Sequence, residues 1–165
     1  MTEGMGEALP SYLVEGALNY LSDMTGFSEL HADMIERGHV RNTMVVPAGA
    51  TNIHGNAHGG FILGLLDSTC GMAAHTMGYA NVTVQMSTNF MKPVRIGEEI
   101  VLEARVLHGG RRSTVVSCQV SDVQGRVLVS AQATMFNLEK LDENSVIPKP
   151  FYPRNDTCFD IRTRV

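Results

Sequence analysis

The chain is short of positive charge. Its 13 Lys and Arg are outnumbered by 17 Asp and Glu, which leaves a net charge of -4. A general nucleic-acid binder carries a basic face, and neither a basic arm nor a helix-turn-helix pattern is present, so that class is excluded. Cysteine is scarce. Cys70, Cys118 and Cys158 are odd in number, far apart and without a C-x-x-C pair. They read as free thiols of a reducing compartment rather than as a disulfide framework. No apolar run is long enough to span a membrane. The opening MTEGMGEALP has neither a basic region nor an apolar core and does not read as a signal peptide, so the expected location is cytoplasmic. No internal repeat or linker interrupts the chain. What remains is 165 residues, 44% hydrophobic and 18% charged, which suits one soluble domain with a sizeable core.

A local absence marks the informative stretch. No Lys or Arg lies between Met44 and Met91, and inside that gap residues 52–77 read NIHGNAHGGFILGLLDSTCGMAAHTM. Asn52, Gly55 and Asn56 belong to a loop. From Phe61 onward, Phe61, Ile62, Leu65, Leu66, Ala73, Ala74 and Met77 recur at helical spacing. Gly59-Gly60 therefore falls at a helix start, where backbone N–H groups lack intrahelical acceptors. Asp67 stands inside this apolar helix, too far from Gly59 to be a cap. With no local cation, desolvation is expected to raise its pKa and make it a candidate base or nucleophile. The plain alternative is a carboxylate on the helix's solvent side.

The pattern Asn52-x-x-Gly55-x-x-His58-Gly59-Gly60, followed by Asp67 and Gly71, resembles the hotdog-fold acyl-CoA thioesterases of the phenylacetate-degradation (PaaI) and 4-hydroxybenzoyl-CoA thioesterase type. The segment Asn89-Phe90-Met91-Lys92-Pro93-Val94, then Gly97-Glu98, is similar to that family as well, and the likeness spans about residues 25–138. It implies an α+β hotdog fold: an antiparallel β-sheet wrapped around one central α-helix. It also implies hydrolysis of an acyl- or aryl-CoA thioester to free acid and CoA. The thioester is the substrate, and no cofactor or metal is expected. His54 and His58 share an H-x-x-x-H spacing, but no helix carries it and no Glu follows, so a metal site is disfavoured.

Under that resemblance the Gly59 N–H polarises the thioester carbonyl, and Asp67 acts as nucleophile or as general base on water. Asn52 would sit near the carbonyl or the attacking water, an Asx-turn being its plain alternative. His58 touches the thioester region or holds the loop. Thr83 falls where family members place a hydroxyl beside the carboxylate, with Ser68 as competitor. Gly59 and Asp67 are eight residues apart, roughly 12 Å along a helix. An Asp side chain cannot bridge that distance, so action on one carbon requires two copies of the chain, a two-fold homo-oligomer. Dimers paired into a homotetramer are expected.

A net-acidic chain needs a local basic patch for CoA. Arg111, Arg112 and Ser113 after Gly109-Gly110 are the first phosphate candidates, Thr114 could add a donor, and Lys92 and Arg95 come next; a solvated basic turn is the commoner fate of such residues. Met72, Met77, Met86 and Met91 suit an adaptable apolar pocket or plain core.

In chain order, residues 1–24 read as a tail and a helix over 11–24, residues 25–138 as the hotdog domain and residues 139–165, with three of the six prolines, as an irregular extension. A hairpin is predicted over 31–36 and 39–46, then the central helix closed by Gly78, then strands over 81–91, 99–107, 112–121 and 126–138. In the first of these, Val82, Val84, Met86 and Phe90 are predicted on one face and Thr83, Gln85, Ser87 and Asn89 on the other. The rival from another class is a non-catalytic acyl-CoA sensor, since a fold does not fix a function. An enoyl-CoA hydratase is disfavoured because Asp67 is followed by Ser68-Thr69-Cys70 rather than by a histidine.

Overall fold

The computed structural model describes residues 8–20 and 27–145. Helix α1 (Ser11–Asn19) comes first, and the hairpin β1 (His31–Glu36) and β2 (His39–Val45) follows. The central helix α2 (Gly59–His75) is next, and β3 (Tyr79–Phe90), β4 (Glu99–Gly109), β5 (Ser113–Asp122) and β6 (Val127–Lys140) complete the fold. The strands form one antiparallel sheet in the order β1-β2-β4-β5-β6-β3. This is the sheet around a central helix that the resemblance implies. Consecutive hairpins do not give this order by themselves. β3 follows α2 yet pairs with β6, not β4, which leaves β3 at the sheet edge.

Alternation builds the inner face. Val40 and Met44 of β2, Ile100, Leu102 and Ala104 of β4, Val116, Cys118 and Val120 of β5, and Val129, Ala131 and Ala133 of β6 are all buried against α2. The helix has little polar surface because it is covered on two sides: every residue from Thr69 to Thr76 is buried. The sheet covers one side. Helix α1 covers another with Leu13, Ala17 and Leu18. Close approach of the helices needs glycine at Gly16, where a methyl group would run into the His75 ring.

A stripe on α2 is left bare. Gly60, Leu63 and Asp67 are exposed at helical spacing on the single chain. Asp67 therefore stands on the solvent side of the helix within its own subunit, the plainer of the two readings of the sequence. The predicted parity of β3 is corrected. Thr83 pairs with Met135 and Gln85 with Thr134, so Val84 is an extra residue, a β-bulge. Each residue beyond it is turned to the other face. Val82 pairs with the exposed Phe136 on the outer side, while Thr83, Met86 and Phe90 pair with the inner-face residues Met135, Ala133 and Val129.

Helix α1 reaches Asn19, and residues 21–24 of the predicted helix lie outside the described residues, as does Cys158. β6 continues to Lys140, so residues 139–140 are strand rather than irregular extension, and residues 146–165 lie outside the description. Gly78 ends the helix as predicted, at φ +91° with its N–H on the His75 carbonyl.

Candidate active site

The loop before α2 is fixed by its own polar groups. The Asn52 Oδ1 accepts from the backbone N–H of His54 (2.8 Å) and of Asn56 (3.2 Å). Gly55 turns the chain at φ +75°, a conformation that favours glycine. The Asn52 amide nitrogen donates to the Ala57 carbonyl at 3.4 Å. The Asn52 side chain is thus engaged in an Asx-type turn, although the residue also lines the cleft. Bridges from Asn56 to Arg95 and from Ala57 N–H to the Val94 carbonyl tie the loop to the segment after β3.

His58 is the N-cap of α2. Its Nδ1 accepts from Gly60 N–H at 3.0 Å, so it holds the helix start. The next donor is different. The Gly59 N–H has no acceptor among the described residues. It opens into a cleft of about 390 Å³ whose lining includes Asn52, Ile62, Phe90, Met91, Lys92 and Val94. A methyl group at Gly59 would sit 3.6 Å from Phe90 Cζ, an ordinary contact. The site therefore pairs a free helix-start dipole with apolar walls and one cation at the rim.

Asp67 lies elsewhere on the same chain. Its Oδ1 accepts from the Thr83 hydroxyl at 2.6 Å, a short charge-assisted bond. The bulge at Val84 is what allows this, because it brings Thr83 to the inner face at the point where β3 passes α2. Thr83 rather than Ser68 takes the position beside the carboxylate. Both Asp67 and Thr83 are exposed.

The structure divides the cations. Lys92 lines the Gly59 cleft, and Arg95 is bridged to Asn56 beside it. Arg111 and Arg112 are exposed on the β4–β5 turn at the far end of the sheet, near the C-terminus of α2, where Gly109 meets Met77. That turn is anchored by Asn137, whose amide donates to the Gly110 carbonyl at 2.7 Å, while Asn137 N–H donates to the Arg112 carbonyl. Ser113 opens β5 beside these arginines. Thr114 is buried and donates to Asn137 Oδ1, so it faces inward rather than toward a ligand.

Cys70 is buried on α2 beside Cys118 of β5. Contact with the Cys70 thiol and burial both push the Cys118 thiol up, so Cys118 is not a ready nucleophile. Two features were missed in the sequence: the role of Phe90, part of the family-like segment, as the cleft wall against Gly59, and the bulge beside Thr83, which contains no glycine or proline.

The fold and the loop–helix site define a hotdog protein. A Streptococcus mutans protein solved with acetyl CoA bound is 31% identical, with a TM-score of 0.70 over 75% of this chain and 100% of that one. A hypothetical thioesterase from Streptococcus pneumoniae TIGR4, solved with coenzyme A, is 28% identical, with a TM-score of 0.69 over 73% of this chain and 97% of that one. The pneumococcal protein has also been solved with an aspartate replaced by alanine and with a threonine replaced by alanine, and these two positions are sixteen apart, as Asp67 and Thr83 are here. Human acyl-coenzyme A thioesterase 13 is 31% identical over 100 residues, spanning 59% of this chain and 71% of that protein. Residues 54–129 match the family described as the thioesterase superfamily. The chain belongs to this superfamily, and the relatives it resembles include enzymes named acyl-coenzyme A thioesterase.

Proposed function

We propose that the chain hydrolyses acyl-CoA thioesters, with Gly59 of one subunit and Asp67 of another acting on the same carbonyl. The observation that carries this reading is the pair formed by an unpartnered Gly59 N–H in a cleft and a Thr83-bonded Asp67 carboxylate. The names of the relatives and the CoA-bound neighbours support the substrate class.

In the reaction, the thioester oxygen accepts from Gly59 N–H, which stabilises the negative charge that develops on it. Asp67 either attacks the carbonyl carbon, expelling CoA thiolate and leaving an anhydride that water opens, or takes a proton from water, whose oxygen bonds to the carbon as the C–S bond breaks and the CoA thiolate leaves with the proton Asp67 returns. Thr83 holds the carboxylate in one rotamer. Asn52 and His58 shape the loop. The thioester is the substrate and the scheme needs no separate cofactor.

Two features support the dimer. β3 is a twelve-residue edge strand, and the bare stripe of Gly60, Leu63 and Asp67 lies next to it. A long unpaired edge invites another strand. A two-fold partner on β3 would carry its own Asp67 toward Gly59, and its Arg111–Arg112 turn toward the end where Lys92 and Arg95 lie. The four cations would then share one CoA, and the two-fold would generate two such sites.

The test is steady-state release of free thiol from a panel of acyl-CoAs, wild type beside Asp67→Asn. Turnover in the wild type and loss of most of it in the variant is expected. Saturable acyl-CoA binding without turnover on any substrate would replace the enzyme reading with the sensor.

A further inference from the structure

Neither the backbone nor the packing of this chain requires a glycine at Gly59. Its φ lies outside the left-handed region. The nearest atoms to an added Cβ are Phe90 Cζ at 3.6 Å and Phe90 Cε1 at 4.0 Å, both ordinary contacts. Gly71, on the same helix, is the opposite case: a Cβ there would stand 2.6 Å from Tyr20 Cε1, so the chain itself fills that space. The space in front of Gly59 is left to the cleft, and Gly59 and Phe90 both line it.

In a helix the Cα–Cβ bond tilts toward the N-terminus, and the N–H bonds point the same way. The free N–H of Gly59 and its missing side chain therefore open on the same side, the side that the Phe90 ring bounds. A carbonyl oxygen accepting from that N–H lies about 2.9 Å from the nitrogen. The carbonyl carbon is one bond farther, which brings the atoms attached to it within reach of the ring. The base of the ring is fixed. Phe90 is the last residue of β3 and pairs with the buried Val129, and the next residue, Met91, donates its N–H to the Leu128 carbonyl at 2.9 Å. Ile62, one turn on from Gly59 and buried, is a second apolar wall of the same cleft.

A thioester carbonyl carries two substituents. The sulfur is the same in every acyl-CoA, whereas the carbon on the acyl side differs in width from one substrate to another. A wall at contact distance therefore discriminates through that carbon. We infer that Phe90 is a specificity-determining residue: its ring limits the width of the acyl group at the carbon next to the carbonyl, so the site favours straight-chain thioesters over those branched there. A methyl branch at that carbon meets the ring and pushes the carbonyl off the Gly59 donor, and misplacement of a reacting group costs rate. The inference rests on the thioesterase reading and adds the residue that selects the substrate.

The experiment is kcat/KM for two pairs of isomeric acyl-CoAs, butanoyl with 2-methylpropanoyl and dodecanoyl with 2-methylundecanoyl, in wild type, Phe90→Leu and Phe90→Trp. Each pair holds the carbon count constant, so the ratio of straight to branched reports width rather than apolar area. Wild type should prefer the straight isomer by about tenfold or more, the scale of one methyl group in an apolar site. Phe90→Leu shortens the wall and should bring the ratio toward one, mainly by raising kcat on the branched isomer. Phe90→Trp enlarges the wall and should raise the ratio; it keeps an aromatic anchor in case the leucine variant does not fold. A ratio that is the same in wild type and in the folded variants overturns the inference, as does a wild type that handles both isomers equally. Absence of thiol release by the wild type from every acyl-CoA overturns the thioesterase reading instead, so the two failures are distinct.

Discussion

The most informative residue contact is the 2.6 Å bond from Thr83 to Asp67. A hydrogen bond to a charged group contributes about 1.5–3 kcal/mol. Thr83→Val removes the donor at constant shape, so kcat should fall roughly ten- to a hundredfold, with KM little changed. Thr83→Ser should retain most of the rate. Thr83 is exposed, so thermal unfolding should barely move and a lost rate is not a lost fold. Equal rates in the valine variant and wild type would remove Thr83 from the reaction. At this scale the sequence was legible in part. Glycines, Asp67 and Thr83 stand out because a helix start and an apolar helix make them anomalous or place them by resemblance. The Asn52 side chain illustrates the limit: an Asx turn and a catalytic amide look the same in a string of letters, and only the bonds to His54 and Asn56 show the turn.

At the scale of elements, periodicity located the two α-helices and the six strands to within a few residues, because burial on one face imposes the period, but not the short 3-10 turns Phe27–Glu29 and Ala48–Ala50. It did not reveal the bulge at Val84. An inserted residue keeps the alternation of Val82, Val84 and Met86 intact in the letters while inverting it in space. Nor did it reveal what α1 does, since a nine-residue amphipathic helix can dock on any apolar surface. The docking is specific, and its cost falls on His75. Both ring nitrogens of His75 are buried without a partner beneath Gly16 and Tyr20. Burial pushes its pKa from 6.5 down to about 4. As pH falls through about 6.5 the unfolded chain takes a proton that the folded chain refuses until about 4. Stability should therefore drop across that window, by about 3 kcal/mol at most, and level out below it. His75→Leu removes the titrating ring. Urea unfolding at pH 7 and pH 4.5 should show a smaller acid loss in this variant than in wild type; an identical loss would mean that His75 is not its source.

For the whole molecule, the open edge of β3 and the bare stripe on α2 are where the proposed partner subunit would sit. Periodicity cannot show this, because a strand buried by a partner and a strand facing water differ only in what is absent from the chain. The proposed site needs Gly59 from one copy and Asp67 from another, roughly 12 Å apart along one helix. That geometry has a direct consequence for mixtures. Gly59→Val should block the carbonyl yet fold, because the added Cβ meets only ordinary contact with Phe90. Asp67→Asn should fold because Asp67 is exposed on its own subunit. Each variant alone should be nearly inactive. After exchange of subunits in an equal mixture, about half of the dimers carry one copy of each variant, and each of these has one intact site and one doubly damaged site. Thiol release should then recover to about a quarter of the wild-type rate per chain. A site contained within a single subunit predicts no recovery, since every chain lacks one of the two groups. Native mass spectrometry on isotope-labelled variants supplies the control: confirmed mixed dimers that stay inactive would place Gly59 and Asp67 outside a shared site.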